Sequence, residues 1–213
     1  MSKYLFTVGH STHSIENFIA LLASHGIEAI ADVRSSPFSR FNPQFNRREL
    51  QKTLQDAGIR YVFLGKELGA RSDDPHCYVA DKVQYDRLAK TPEFQSGVDR
   101  VLEGANSYRV ALMCAEKEPL DCHRTILVAR ELDKRGFAIR HILSDGSVES
   151  HPNSMKRLMT ELGIQEEDLF RSKDEMLDEA YARQGEKIAY VRGVSSTISD
   201  EQISDALSLD SAR

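Results

Sequence analysis

The residues best able to do chemistry in this chain lie between Cys114 and Arg124, where Cys114-Ala115-Glu116 is followed by Cys122-His123-Arg124. Val110 to Ala115 is the most apolar run, so a thiol and a carboxylate close a buried strand, and a helix is expected to open on Cys-His-Arg. A new helix leaves its first N–H groups unpaired, and beside a guanidinium such groups suit an anion. Two thiols, a carboxylate and an imidazole add candidates for nucleophilic attack and proton transfer.

These groups need a scaffold, and the apolar pattern supplies one. Residues 4–10 read as a strand ending at Gly9-His10-Ser11, followed by Ile15, Phe18, Ile19 and Leu22 at helical spacing and Gly26 as a stop. Ile27 to Val33 is a continuous apolar strand ending at Asp32-Val33-Arg34. Asn46 with Glu49 resembles a capping box for a helix carrying Leu50 and Leu54, and Ile59 to Leu64 is the next strand. Helical pieces are expected over 81–89 and 92–103, the second capped by Thr91 with Pro92 at its first position. A helix over 125–135, a strand over 137–143, helices around 155–162 and 172–183 and a short edge strand over 187–191 complete the reading.

Alternating strands and helices imply an α/β fold, a mainly parallel open sheet of about five strands with helices on both faces, Rossmann-like, plus a helical C-terminal extension. The division expected is an α/β domain over 1–147, a helical extension over 148–192 packed on it, and a flexible tail over 193–213. Ligands of such sheets bind beyond the carboxyl ends of the strands. His10 and Ser11, Asp32 and Arg34, Gly65 and Glu67, and Cys114 and Glu116 all fall at strand ends of that one edge, with Cys122, His123 and Arg124 opening the next helix.

Each group has a plain alternative. Cys114 is a small buried hydrophobe, or a nucleophile whose pKa the helix start, His123 and Arg124 lower. Asp32 and Glu116 act as acid or base, or hold Arg34 and Arg124 in place. His10 lines a pocket or bonds across the sheet edge, whereas His13, His25 and His151 are expected on the surface. The segment 34–48 carries four Arg, three Phe and no acid, so Arg40 and Phe41 are candidates for phosphate pairing and base stacking, or else the aromatics pin the loop. Nine residues separate Cys114 from Arg124, too many for a compact Cys-to-Arg phosphate cradle. Cys122 and His123 are adjacent, a poor spacing for a shared ion, and no Cys-x-x-Cys pair exists, so neither metal nor cofactor is assigned.

Composition narrows the classes. Three cysteines leave an odd thiol, so reduced side chains are expected rather than a disulfide framework. No apolar run approaches the length of a membrane span, and the first strand does not read as a secretory signal, so a cytoplasmic protein without a membrane partner is expected. The net charge of -5 disfavours wholesale nucleic-acid binding; residues 148–213 hold 14 acids and 8 bases, so the acidic excess is C-terminal.

The ordered motifs Gly9-His10-Ser11, Asp32-Val33-Arg34 with Pro37 and Ser39, Leu68-Gly69, Cys114-Ala115-Glu116 and Cys122-His123-Arg124 resemble those of the bacterial and archaeal domain-of-unknown-function family 488. Ala180-Tyr181, Gln184 and Ile188-Ala189-Tyr190 look like its C-terminal pattern, so the resemblance spans roughly residues 4–192. It implies an α/β fold and a small-molecule or nucleic-acid role.

The residues themselves lead first to a hydrolase or group transferase for a phosphate-bearing substrate such as a nucleotide or nucleic-acid component. Arg34 and Arg124 would take the anion, Cys114 would attack or be oxidised, and Asp32, Glu116 and His123 would move protons. The alternatives are a non-catalytic module binding nucleic acid through the Arg/Phe loop, and a thiol-based redox or metal sensor using Cys114 and Cys122.

Overall fold

The structure is a computed structural model and describes residues 4–165 and 169–193. Strand β1 (Tyr4–Gly9) leads into α1 (Ile15–Ser24), whose first turn is closed by Ser14 accepting from Asn17 N at 3.2 Å. Strand β2 (Ala29–Asp32), α2 (Arg47–Asp56) and β3 (Arg60–Phe63) follow. The two-residue strands β4 (Tyr78–Val79) and β5 (Lys82–Val83) form a hairpin ahead of α3 (Tyr85–Leu88), so the expected helical piece over 81–89 shrinks to its last turn. Helix α4 (Pro92–Ser107) starts as its Thr91 and Pro92 dictate, Thr91 accepting from Phe94 N.

Strand β6 (Val110–Cys114) is buried throughout. After a turn at Pro119–Asp121 the chain enters a π-helical stretch, Arg124–Ala129, that continues as α5 (Arg130–Lys134). Strands β7 (Ala138–Ile142) and β8 (Val148–Ser150) precede α6 (His151–Glu161) and α7 (Lys173–Ile188), the last closed by a true capping box between Ser172 and Glu175.

The main sheet has six strands in the order β3-β2-β6-β1-β7-β8, parallel except for β8, which pairs antiparallel with β7. The C-terminal part therefore begins as a strand of this sheet, one more than expected, before turning helical at His151. The pleat sends Leu5, Ala31, Val33 and Leu112 towards α4 and α5, where Phe94, Val98, Leu127 and Leu132 wait. Phe6, Val8, Ile30 and Met113 meet Phe18 and Leu22 of α1 and Leu50 and Leu54 of α2 on the other face. Met155, Leu158, Met176 and Tyr181 of α6 and α7 pack on Leu120 and Ile126, and Gln184 Nε2 donates to the Leu120 carbonyl at 2.8 Å. The C-terminal helices thus brace the loop after β6.

Two local expectations fail for identifiable reasons. Asn46 precedes α2 but makes no capping bond; its Oδ1 accepts instead from Ser39 N at 2.7 Å, tying down the Arg/Phe loop. Residues 187–191 are not a strand: α7 runs to Ile188, and beyond it the Tyr190 carbonyl accepts from Val83 N and a single bridge joins Val191 to Lys82. Of the tail expected over 193–213, only Gly193 lies within the described residues. No helix among them is long and apolar enough to cross a membrane.

Candidate functional site

The register brings the expected residues to one rim: Gly9 pairs with Cys114 across β1 and β6, and Asp32 pairs with Met113 across β2 and β6. The pleat then divides them. Asp32 and His10 fall on the α1/α2 side, whereas Cys114 continues the phase of Val110 and Leu112 towards α4 and α5.

On the first side, Arg34 joins the two halves. Its Nε and Nη2 donate to Asp32 Oδ1 and Oδ2 at 2.9 and 2.7 Å, and Nη2 also reaches the Phe45 carbonyl at 2.9 Å. Asp32 is fully buried and takes a further bond from Tyr61 OH at 2.7 Å. His10 stacks on Phe45 with centroids 4.2 Å apart, bonds the Ser11 carbonyl through Nδ1 at 2.9 Å and meets Arg34 Nη1 through Nε2 at 3.1 Å. A carbonyl only accepts, so Nδ1 carries the hydrogen and Nε2 accepts from the guanidinium. Burial, then the Arg34 charge, push the His10 pKa down to about 4, and the ring stays neutral. Asp32 and His10 therefore position Arg34, which lines the cleft, and do not open into the cleft themselves.

On the second side, Cys114, Glu116, Cys122 and His123 each bring one donor atom into a group whose members all lie within 4.8 Å of one another. Cys114 Sγ is 3.7 Å and Cys122 Sγ 3.9 Å from His123 Nδ1, and the Cys122 thiol donates to Glu116 Oε2 at 2.8 Å. Glu116 is exposed as a residue, but its carboxylate is turned inward onto the thiols. His123 Nε2 bonds the Val33 carbonyl at 3.0 Å. Burial works against thiolate at both sulfurs. At Cys122 the neighbouring Cys114 and the Arg124 charge prevail and hold its pKa well below the ordinary thiol value; at Cys114 burial, then its Cys122 and Glu116 neighbours, push the pKa well up. Burial and the neighbouring groups therefore oppose the thiolate expected at Cys114.

Arg124 is also not where an anion could meet it. It is wholly buried, donating through Nη1 to the Glu116 carbonyl at 2.7 Å and through Nη2 to the Lys117 carbonyl at 3.3 Å. Its role is to hold the loop that carries Glu116. Ser11 is a backbone element of the same rim, with φ of 46° and its N–H on the Ala115 carbonyl.

A cleft of about 300 Å³ opens beside this group, lined by Cys114, Glu116 and His123 together with Arg34, Ser35, Ser36, Arg71, Tyr85 and Tyr190. The stretch from Val33 to Glu116 that builds both halves lies within residues 14–130, which match the family described as Domain of unknown function DUF488. The chain belongs to that family. No curated protein matches the chain. The DUF488 match takes in the Asp32-Val33-Arg34, Cys114-Ala115-Glu116 and Cys122-His123-Arg124 motifs, while Gly9-His10-Ser11 and the C-terminal motif lie outside it.

In this DUF488 protein Arg40 and Phe41 are not part of the cleft: Phe38 and Phe41 are 69% and 56% exposed on the outer loop, with the Arg40 guanidinium 5.8 Å from the Phe41 ring centre. Sequence reading missed Arg71, Tyr85 and Tyr190. Arg71 is exposed, stacks 4.5 Å over Tyr190 and is set by its N–H bond to Ser35 Oγ, contacts made across 119 and 36 positions of chain that no local pattern announces. His151, expected on the surface, is buried between His141 and Tyr181.

Proposed function

We propose that the cleft is the active site of a hydrolase or group transferase acting on a phosphate-bearing substrate. The observation that carries this is the convergence of two thiols, a carboxylate and an imidazole beside a cleft that Arg34 and Arg71 also line. Arg71, exposed at the rim, meets the anion; Arg34, already committed to Asp32 and His10, has Nη1 nearest to spare for it. Ser35 and Ser36 line the same cleft, and Tyr85 and Tyr190 offer flat surfaces to a base. His123 and Glu116 reach both sulfurs and are placed to move protons. Relative to the sequence expectation, Arg124 leaves the anion-binding role and Asp32 the proton-transfer role, both for positioning.

The test is a thermal-shift series at low salt with inorganic phosphate and nucleoside mono- and diphosphates, followed by hydrolysis assays on ligands that bind. A raised melting temperature that Arg71→Ala abolishes without changing the unliganded value supports the reading. No shift with any phosphate ligand removes it.

A second reading keeps one specific observation: the exposed Phe38, Arg40 and Phe41 at the tip of the outer loop. They suit single-stranded nucleic acid, stacking bases and pairing phosphates. Salt-sensitive binding to an oligonucleotide should weaken with Phe41→Ala and Arg40→Ala and ignore Arg71→Ala. Absence of binding at low salt defeats it.

A further inference from the structure

The donor atoms of Cys114, Glu116, Cys122 and His123, all within 4.8 Å of one another, are close enough to share one tetrahedral metal ion. With zinc–sulfur bonds of about 2.3 Å and zinc–nitrogen bonds of about 2.0–2.1 Å, neighbouring donors of a tetrahedron stand roughly 3.5–3.8 Å apart. The two sulfur-to-Nδ1 separations are 3.7 and 3.9 Å. The 2.8 Å contact between Cys122 Sγ and Glu116 Oε2 is a thiol hydrogen bond, and it has to open by roughly 0.8 Å once the proton is gone. Glu116 lies on a loop and can give that distance.

Adjacent residues 122 and 123 reach one point because the chain turns between them. Cys122 is extended, with φ of -131° and ψ of 136°, and His123 is already helical, with φ of -59° and ψ of -25°. That change of backbone defeats the objection drawn from their adjacency.

The surroundings also fit. The Val33 carbonyl accepts from His123 Nε2, so a neutral imidazole keeps its hydrogen there and aims the bare Nδ1 lone pair at both sulfurs. Cys122 Sγ accepts a backbone N–H from Arg124 at 3.4 Å, a bond that favours thiolate. A divalent ion held by two thiolates and a carboxylate leaves the cluster with a net negative charge, which suits the buried Arg124 guanidinium beside it. Arg124 makes no side-chain ion pair among the described residues, and the cluster is its counter-charge.

We propose that Cys114, Glu116, Cys122 and His123 hold a zinc ion, through two sulfurs, Nδ1 and one carboxylate oxygen. Glu116 is the only exposed member and the one on the solvent side, so it is the ligand that yields, opening a coordination position to the cleft. The donor set stands by itself; only the statement that this open position faces substrate rests on the active-site reading above. There the sulfurs hold the ion, and the attacking group is no longer Cys114.

The full chain, reduced and incubated with zinc sulfate, is desalted and its metal measured, with cobalt(II) as a spectroscopic substitute. One ion per chain and a thiolate-to-cobalt charge-transfer band are expected. Cys122→Ser should lose both, and Glu116→Gln, which preserves shape, should keep the band while weakening affinity roughly tenfold. Zinc should also protect Cys114 and Cys122 from iodoacetamide. Wild-type protein that retains no stoichiometric zinc, or whose thiols alkylate equally with and without it, overturns the proposal, as does a cobalt band unaltered in Cys122→Ser. Zinc binding without any phosphate-ligand shift upholds the metal site and removes the proposed activity; the reverse result separates them the other way.

Discussion

Gly9 lies directly against the carbonyl of Glu116: a β-carbon at position 9 would stand 1.9 Å from that oxygen and 3.3 Å from Arg124 Nη2. The glycine therefore serves its own chain. It lets the loop after β6 fold across β1, which is how Glu116 comes to face the thiols.

Gly9→Ala should consequently force the 115–118 loop away from the sheet. The expected cost is about 1–3 kcal/mol, that of overpacking a tight site. Urea denaturation reads the loss, and faster alkylation of Cys122 reports the displaced carboxylate. A fully stable Gly9→Ala variant with unaltered thiol reactivity would contradict this account.

The Arg34–Asp32 pair is buried on both sides, with side-chain exposures of 6% and 0%. Asp32→Asn keeps the shape and removes the charge, stranding a guanidinium whose other partners among the described residues are a carbonyl and a neutral imidazole. Breaking such a pair costs about 3–5 kcal/mol. Tyr61→Phe, which leaves both Asp32 oxygens on Arg34, should cost only about 1 kcal/mol. Equal losses in the two variants would show that Arg34 does not depend on the charge.

A hydrogen-bonded line runs from Thr7 through His141 and His151 to Tyr181, with links of 2.8, 2.9 and 2.7 Å. Burial pushes His151 down to about 4, and burial, then the His151 and Arg124 charges, push His141 well below its ordinary value. Both rings are neutral when folded and take protons near pH 6.5 when unfolded. Their contribution is complete above about pH 6.5 and is lost as pH falls towards about 4, with about 3 kcal/mol from His151 alone. Around them stand Asp133, Lys156 and Lys173 at the neighbouring cavity, and Arg130 over the Tyr181 ring. Urea midpoints should fall steadily with pH across that window, and His151→Gln should flatten the curve in part, His141 and His10 supplying the remainder. A flat wild-type curve would refute it.

Asn46 holds the Arg/Phe loop through Ser39 N. Asn46→Ala should cost about 1 kcal/mol and raise hydrogen exchange over residues 38–42, while Asn46→Asp restores the acceptor and the protection. Helix α2 should keep its content by circular dichroism in both variants, since this side chain caps nothing.

The fold was legible because β1, β2, β6 and β7 are apolar runs separated by amphipathic stretches, and because Gly26, Thr91 and Pro92 punctuate as their chemistry requires. Strand β8 was not legible: Val148-Glu149-Ser150 is too short and polar to show a period. At the site, the strand ends located the rim, but the phase of the pleat went unread. Asp32 pairs with Met113, so Cys114, one residue on, points through the sheet's other face. Arg124 looked like an anion-binding group because it stands where a helix was expected to open, and nothing local announces that the carbonyls of Glu116 and Lys117 take its guanidinium inward. His151 gave no signal, since its partners lie 10 and 30 positions away.

Cys122, His123 and Arg124 are consecutive, yet they address three separate neighbours: the Glu116 carboxylate, the Val33 carbonyl and the underside of the 116–117 backbone. Such a triplet has no slack. Inserting or deleting a single residue there rotates all three out of true at once, so damage to this junction is all-or-none.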